Sequence, residues 1–148
     1  MKVLLDTGVL GLVTHPRADG GRPCVEWMRD LIAADVKFVI PQICDYELRR
    51  EYVLQGSSRA LTKLDDLLTV LEFACVDSPI WRAAADMWAR CRREGSPLAS
   101  SEALDGDVIL IATTIKVART DQTVVATTNV KHLEKFVDAR QWADIGPP

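Results

Sequence analysis

The sequence predicts an α/β protein in which helices cover a parallel sheet. Short apolar runs alternate with longer segments of helical periodicity, and strands separated by helices pair in parallel. Two of the apolar runs end in polar groups, Asp6 after the first and Thr127 to Asn129 after the last.

Lys2 to Leu5 is a buried-strand pattern that stops at Asp6, and residues 7–13 begin a helix. Residues 15–23 hold prolines, adjacent glycines and Asp19, which predicts a loop. Val25, Met28, Leu31 and Ile32 recur at helical spacing over residues 25–34, and residues 37–40 form a second strand. Pro41 suits the first turn of a helix that stops at Gly56 and buries Cys44, Leu48 and Tyr52. Ser57 or Ser58 caps a helix carrying Leu61, Leu64, Leu68 and Leu71. A third strand is expected at residues 73–76, and Ser78–Pro79 opens a helix that reaches Gly95. A polar loop over 95–101 precedes residues 108–117, apolar on nearly every side and therefore a buried central helix. A fourth strand follows at 123–126, and the remainder, with Phe136, Val137 and Trp142, has little pattern.

With 148 residues and no linker or repeat, the chain is expected to be one domain over residues 1–148. Hydrophobic residues make up 48% and charged residues 26%, an ordinary globular composition. No apolar run approaches the roughly 20 residues of a membrane-spanning helix. Asp6 interrupts the N-terminal apolar stretch, which is therefore read as the first strand of a cytoplasmic protein and not as a secretion signal. Cys24, Cys44, Cys75 and Cys91 form no CxxC pair and are expected to be buried free thiols. The net charge of −3 argues mildly against a nucleic-acid partner, although an enzyme needs only a local basic track.

Open parallel sheets bind ligands beyond the carboxyl ends of their strands, and Asp6 stands at such an end. A turn-forming aspartate before Thr7 and Gly8 is the plainer reading of the same position. Glu47 borders the stripe of Cys44 and Leu48, where a carboxylate costs free energy unless an ion or partner satisfies it; a solvated glutamate is the alternative. Asp105 and Asp107 open the most apolar helix, and one aspartate suffices as an N-cap. The other is free to face a cleft. Thr127, Thr128 and Asn129 are polar groups at another strand end, or a cap for the next turn. Converging carboxylates repel one another, and hard cations such as Mg²⁺ or Mn²⁺ relieve that repulsion through oxygen ligands. Such a site suits phosphodiester hydrolysis. His15 and His132 lack the i, i+4 spacing of a helical zinc site.

These features together resemble a PIN domain, specifically the VapC-like toxins of type II toxin–antitoxin systems. MKVLLDTGVL resembles the family's opening strand with its first acid, Asp6, followed by Thr7. IPQICDYELRRE resembles the segment with the second, Glu47, and LDGDVILIATTI the aspartate that opens an apolar helix, Asp107. VVATTNVKHLEKF resembles the closing strand and turn, with Thr128 and Asn129 as supporting polar groups. The resemblance implies a three-layer α/β/α fold around about four or five parallel strands. It also implies a Mg²⁺- or Mn²⁺-dependent endoribonuclease, a homodimer and a cognate antitoxin. Asn129 is neutral where members often carry aspartate, so either Asn129 or Asp105 completes the set of Asp6, Glu47 and Asp107. Arg49 and Arg50, and Lys131 with the adjacent His132, are the expected contacts to RNA phosphates.

Asp6–Thr7–Gly8 also matches the aspartic-protease triplet, which requires a second carboxylate lobe and a mainly β architecture. A phosphohydrolase with Asp6 as nucleophile would usually carry a second aspartate where Gly8 stands. The alternative closest to the main reading is a catalytically silent PIN-like module that binds RNA or protein.

Overall fold

The computed structural model describes residues 1–15, 20–95 and 104–148. β1 (Lys2–Leu5) leads into α1 (Thr7–Thr14), and α2 (Gly21–Ala33) precedes β2 (Lys37–Pro41). α3 (Gln42–Gln55) and α4 (Ser58–Val70) follow before β3 (Glu72–Ala74). α5 (Ser78–Glu94) and α6 (Leu104–Val117) lead to β4 (Thr123–Thr127). α7 (Val130–Leu133), β5 (Ala139–Gln141) and a 3₁₀ turn over Trp142–Asp144 come last.

The five strands form one parallel sheet in the order β3-β2-β1-β4-β5. From β1 the chain steps outward to β2 and β3, then returns past β1 to β4 and β5. Right-handed crossovers in opposite directions place their helices on opposite faces, which produces three layers. α1 packs against α2, α3 and α4, while α5 packs against α6. The central strands are covered on both faces and are accordingly apolar throughout. Val3, Leu4 and Leu5 of β1 are buried, as is every residue of β4.

α6 is the inner helix of its layer. Val108, Ile109, Leu110, Ile111 and Ala112 are all buried, as expected of a helix apolar all round. The buried hydroxyls of Thr113 and Thr114 donate to the carbonyls of Ile109 and Leu110, each at 2.8 Å, so no donor is left bare.

The sequence and the structure differ at several boundaries. α2 starts at Gly21, four residues before the expected start, because Pro23 occupies its first turn, where a missing N–H needs no acceptor. Pro41 ends β2 and caps α3 in an extended conformation rather than opening the helix. α6 begins at Leu104, so Asp105 and Asp107 both lie in its first turn, near the positive end of the helix dipole. The weakly patterned C-terminal stretch supplies a fifth strand. There Trp142 packs edge-on against Trp27 at 5.5 Å, and the Trp27 indole donates to the Ile145 carbonyl at 2.8 Å. Cys24, Cys44 and Cys91 are buried free thiols, but Cys75 is exposed just after edge strand β3. Trp81 and Trp88, seven residues apart on α5, are 54% and 38% exposed. The expected loops over 15–23 and 95–101 fall partly outside the described residues. Among the described residues no helix is long and apolar enough to cross a membrane.

Candidate active site

The sheet order reverses between β1 and β4, and a crevice opens at such a point beyond the strand ends. Leu5 pairs with Ala126, so the next residues, Asp6 and Thr127, emerge side by side. The Asp6 N–H continues the ladder to the Ala126 carbonyl at 3.0 Å. Asp6 caps α1, its Oδ1 accepting from the Thr7 N–H at 2.7 Å. Its Oδ2 accepts from the Thr127 hydroxyl at 2.6 Å. Thr127 Oγ1 in turn accepts from the Asn129 N–H at 2.9 Å. Asp6 is thus held from both sides by rigid elements.

Thr7 links the first acid to the second: its hydroxyl donates to Glu47 Oε2 at 2.6 Å. Glu47 projects from the edge of the buried stripe of α3, half-buried as its position beside Leu48 requires. Glu47 Oε1 lies against the α-carbon of Gly106, and a β-carbon at that position would collide with it. Beneath them sits the buried Cys44 thiol. Burial pushes its pKa well up, and the charges of Asp6 and Glu47 add to the rise.

Asp107 closes the set. Its Oδ2 is buried and has no hydrogen-bond partner among the described residues. Burial pushes the carboxyl up to about 6; His132 opposes this, while the charges of Asp6 and Glu47 reinforce it. His132 Nδ1 stands 3.7 Å from that oxygen. Asp6, Glu47 and Asp107 therefore act on one another electrostatically across the crevice. Among the described residues, no Lys or Arg forms an ion pair with any of them. Equally, no three acidic, histidine or cysteine side chains there stand close enough to hold an ion without adjustment.

The remaining expected residues are more scattered. Asp105 is exposed and lines, with Glu47, the groove between α3 and α5. Asn129 is exposed, and its amide nitrogen lies 3.3 Å from His132 Nε2. Thr128 packs its hydroxyl over Gly8, 2.6 Å from where a β-carbon would stand. Thr127, the buried neighbour of Thr128, is the residue that bonds Asp6. Thr127 is among the polar groups expected at this strand end, but which of the three bonds Asp6 is set by strand register, which one sequence does not expose. His132, which lies in the expected closing segment and is expected to face RNA phosphates, stands instead beside Asp107.

A groove of about 910 Å³ runs from Glu47 and Asp105 between α3 and α5, walled by Tyr46, Arg50, Trp81 and Trp88. The Arg50 guanidinium lies over the Tyr46 ring at 5.4 Å, and that of Arg92 over Trp88 at 5.1 Å. Arg49 is already paired, to Asp45 and to Asp65, each at 2.8 Å. Lys131 is exposed on α7.

No family model matches the sequence, and no curated protein does. Solved structures do match. A chain of VapBC-1 from nontypeable Haemophilus influenzae superposes with a TM-score of 0.70 at 14% identity, over 97% of this chain and all of that one. A chain of VapBC2 from Rickettsia felis, bound to a DNA fragment from their promoter, gives 0.67 at 17% identity, over 95% of this chain and 98% of that one. The chain has the PIN-like three-layer α/β/α fold of these VapBC proteins, with its acidic crevice at the point where the strand order reverses.

Proposed function

We propose that this protein is a divalent-metal-dependent endoribonuclease, the toxin half of a toxin–antitoxin pair. The observation that carries the reading is the buried Asp107 Oδ2, without a hydrogen-bond donor among the described residues, within electrostatic reach of Asp6 and Glu47. A buried carboxylate oxygen without a hydrogen-bond donor is costly, and three neighbouring carboxylates with no Lys or Arg paired to them among the described residues are costlier still. The set is all oxygen, which fits Mg²⁺ or Mn²⁺. Asp6, Glu47 and Asp107 would hold the ion. When bound, it would supply the charge neutralisation and Lewis acidity that phosphodiester hydrolysis needs.

The protein's own residues have distinct tasks in this scheme. Thr7 and Thr127 each spend a hydroxyl proton on a carboxylate, which fixes Glu47 and Asp6 before substrate arrives. Gly106 leaves room for Glu47 beside the first turn of α6. Asp107 must release its proton before it can serve as an anionic ligand. The groove beside Glu47 offers aromatic faces on which unpaired bases stack, with Arg50 placed for a phosphate. The likeness in fold to VapBC proteins supports an antitoxin as partner, and a homodimer belongs to the same proposal.

The test is cleavage of a mixed RNA pool by purified protein with Mg²⁺, with Mn²⁺ and with EDTA, beside Asp6→Asn. Metal-dependent cleavage that disappears in the variant is expected. Folded wild-type protein that binds RNA but cuts none in either metal would overturn the nuclease and leave the silent binding module.

A further inference from the structure

His132 stands on α7, the short helix that leaves the end of β4, where Thr127 touches Asp6. It lies three residues after Asn129, and one helical turn carries it back over the crevice. Its ring is held there, with the side chain 33% exposed. Nδ1 is 3.7 Å from Asp107 Oδ2, the buried oxygen that no described donor satisfies. Two donors bonded to one ion at about 2.1 Å stand about 3.0–3.4 Å apart at octahedral to tetrahedral angles. The observed separation is a few tenths of an ångström from that spacing.

The other ring nitrogen is also placed. Nε2 lies 3.3 Å from the Asn129 side-chain amide. A half-turn of that amide presents its oxygen to an Nε2–H, which leaves the Nδ1 lone pair bare toward Asp107. A carbonyl oxygen on the second nitrogen is the outer partner that commonly orients a metal-bound histidine. Asn129, neutral where a further acid was expected, then has a task that an amide performs and that needs no charge.

We propose that His132 is a nitrogen ligand of the divalent-ion site, binding through Nδ1 beside Asp107 and oriented by Asn129. The proposal rests on the reading of Asp6, Glu47 and Asp107 as a metal centre. It adds a consequence for ion choice. Imidazole suits first-row transition ions, whereas Mg²⁺ prefers oxygen alone. The site therefore favours Mn²⁺ over Mg²⁺, and His132 carries the difference.

The experiment is pulsed electron paramagnetic resonance of Mn²⁺ bound to the whole chain, with calorimetric titrations of Mn²⁺ and Mg²⁺ into wild type, His132→Gln and Asp107→Asn. A ¹⁴N coupling from a directly bound imidazole is expected in wild type and absent in His132→Gln. Mn²⁺ affinity should fall about tenfold or more in that variant, while Mg²⁺ affinity changes by about twofold or less. Mn²⁺ bound without nitrogen coupling, or coupling that survives in His132→Gln, overturns the proposal and leaves the carboxylate centre standing. If folded wild type binds neither ion, the carboxylate centre itself falls and His132 with it.

Discussion

Asp107 is the residue at which the fold gives way most plainly to the site. Its ordinary carboxyl value of 3.8 is pushed up to about 6, first by burial. A raised carboxyl means that the folded state holds its proton more tightly than the unfolded state does. Between those two values stability from this group falls as pH rises, and above about 6 the full penalty is present. Asp107→Asn should therefore stabilise the metal-free protein at neutral pH, by on the order of 2 kcal/mol. At about pH 4 the gain should largely vanish, because the carboxyl is then protonated in the fold. Melting curves in EDTA at the two pH values check both halves. A variant no more stable than wild type at neutral pH would show that Asp107 is not the strained acid. The same variant should lose cleavage, since in the proposed scheme the group that destabilises the fold is the one that would hold the ion. Asp6, Glu47 and Asp107 were legible as candidates because each interrupts or borders an apolar pattern. The pairing of Thr127 with Asp6 and of His132 with Asp107 was not, because the partners are 121 residues apart in one case and meet only across the crevice in the other.

Elements decide which side chains face the crevice. Gly106 lies in the first turn of α6, where alanine has the better helix propensity by about 1 kcal/mol. Its β-carbon, however, would meet Glu47 Oε1. Glu47 is long enough to swing aside, so Gly106→Ala should barely change the melting temperature. Cleavage should fall about tenfold or more, since displacing a positioned group by about 1 Å costs that much or more. Unchanged activity in a folded Gly106→Ala protein would place Glu47 outside the chemistry. α3 sorts its two adjacent arginines in a similar way. Arg49 is tied to Asp45 and Asp65 on its own helix and on α4, whereas Arg50 turns into the groove over Tyr46. Arg50→Ala should weaken RNA binding and lower its salt dependence by about one phosphate contact. Arg49→Ala should leave that slope unchanged. Binding titrations over a range of salt separate the two, and equal slopes for both variants would remove Arg50 from the interface. The sequence could not divide this pair, because the division depends on where α4 lies.

At the scale of the whole molecule, the proposed metal centre makes the acidic crevice a defect that a bound ion would repair. A ligand that binds only the fold stabilises it by about 2.7 kcal/mol at about 100-fold over its Kd. Mn²⁺ or Mg²⁺ should accordingly raise the melting temperature of wild type and not that of Asp6→Asn. A metal-independent melting temperature in wild type would contradict a metal centre. The alternation of strands and helices, the inner apolar helix and the acid at the end of the first strand all followed from residue patterns, because burial on one face or on every face imposes a period on the chain. Helix starts were less accurate. Pro23 and Asp105 are compatible with a loop and with a first turn, and only packing chose the turn. β5 had no pattern of its own and exists because β4 offers it an edge. Trp81 and Trp88 carried the period of a core face, yet they wall an open groove, since periodicity marks which residues share a face and not what covers it. Strand order lies furthest from the sequence. The reversal between β1 and β4 brings residues 6, 47, 107 and 132 together, and such long-range pairings arise from the crossovers of the whole chain, not from any local run of residues.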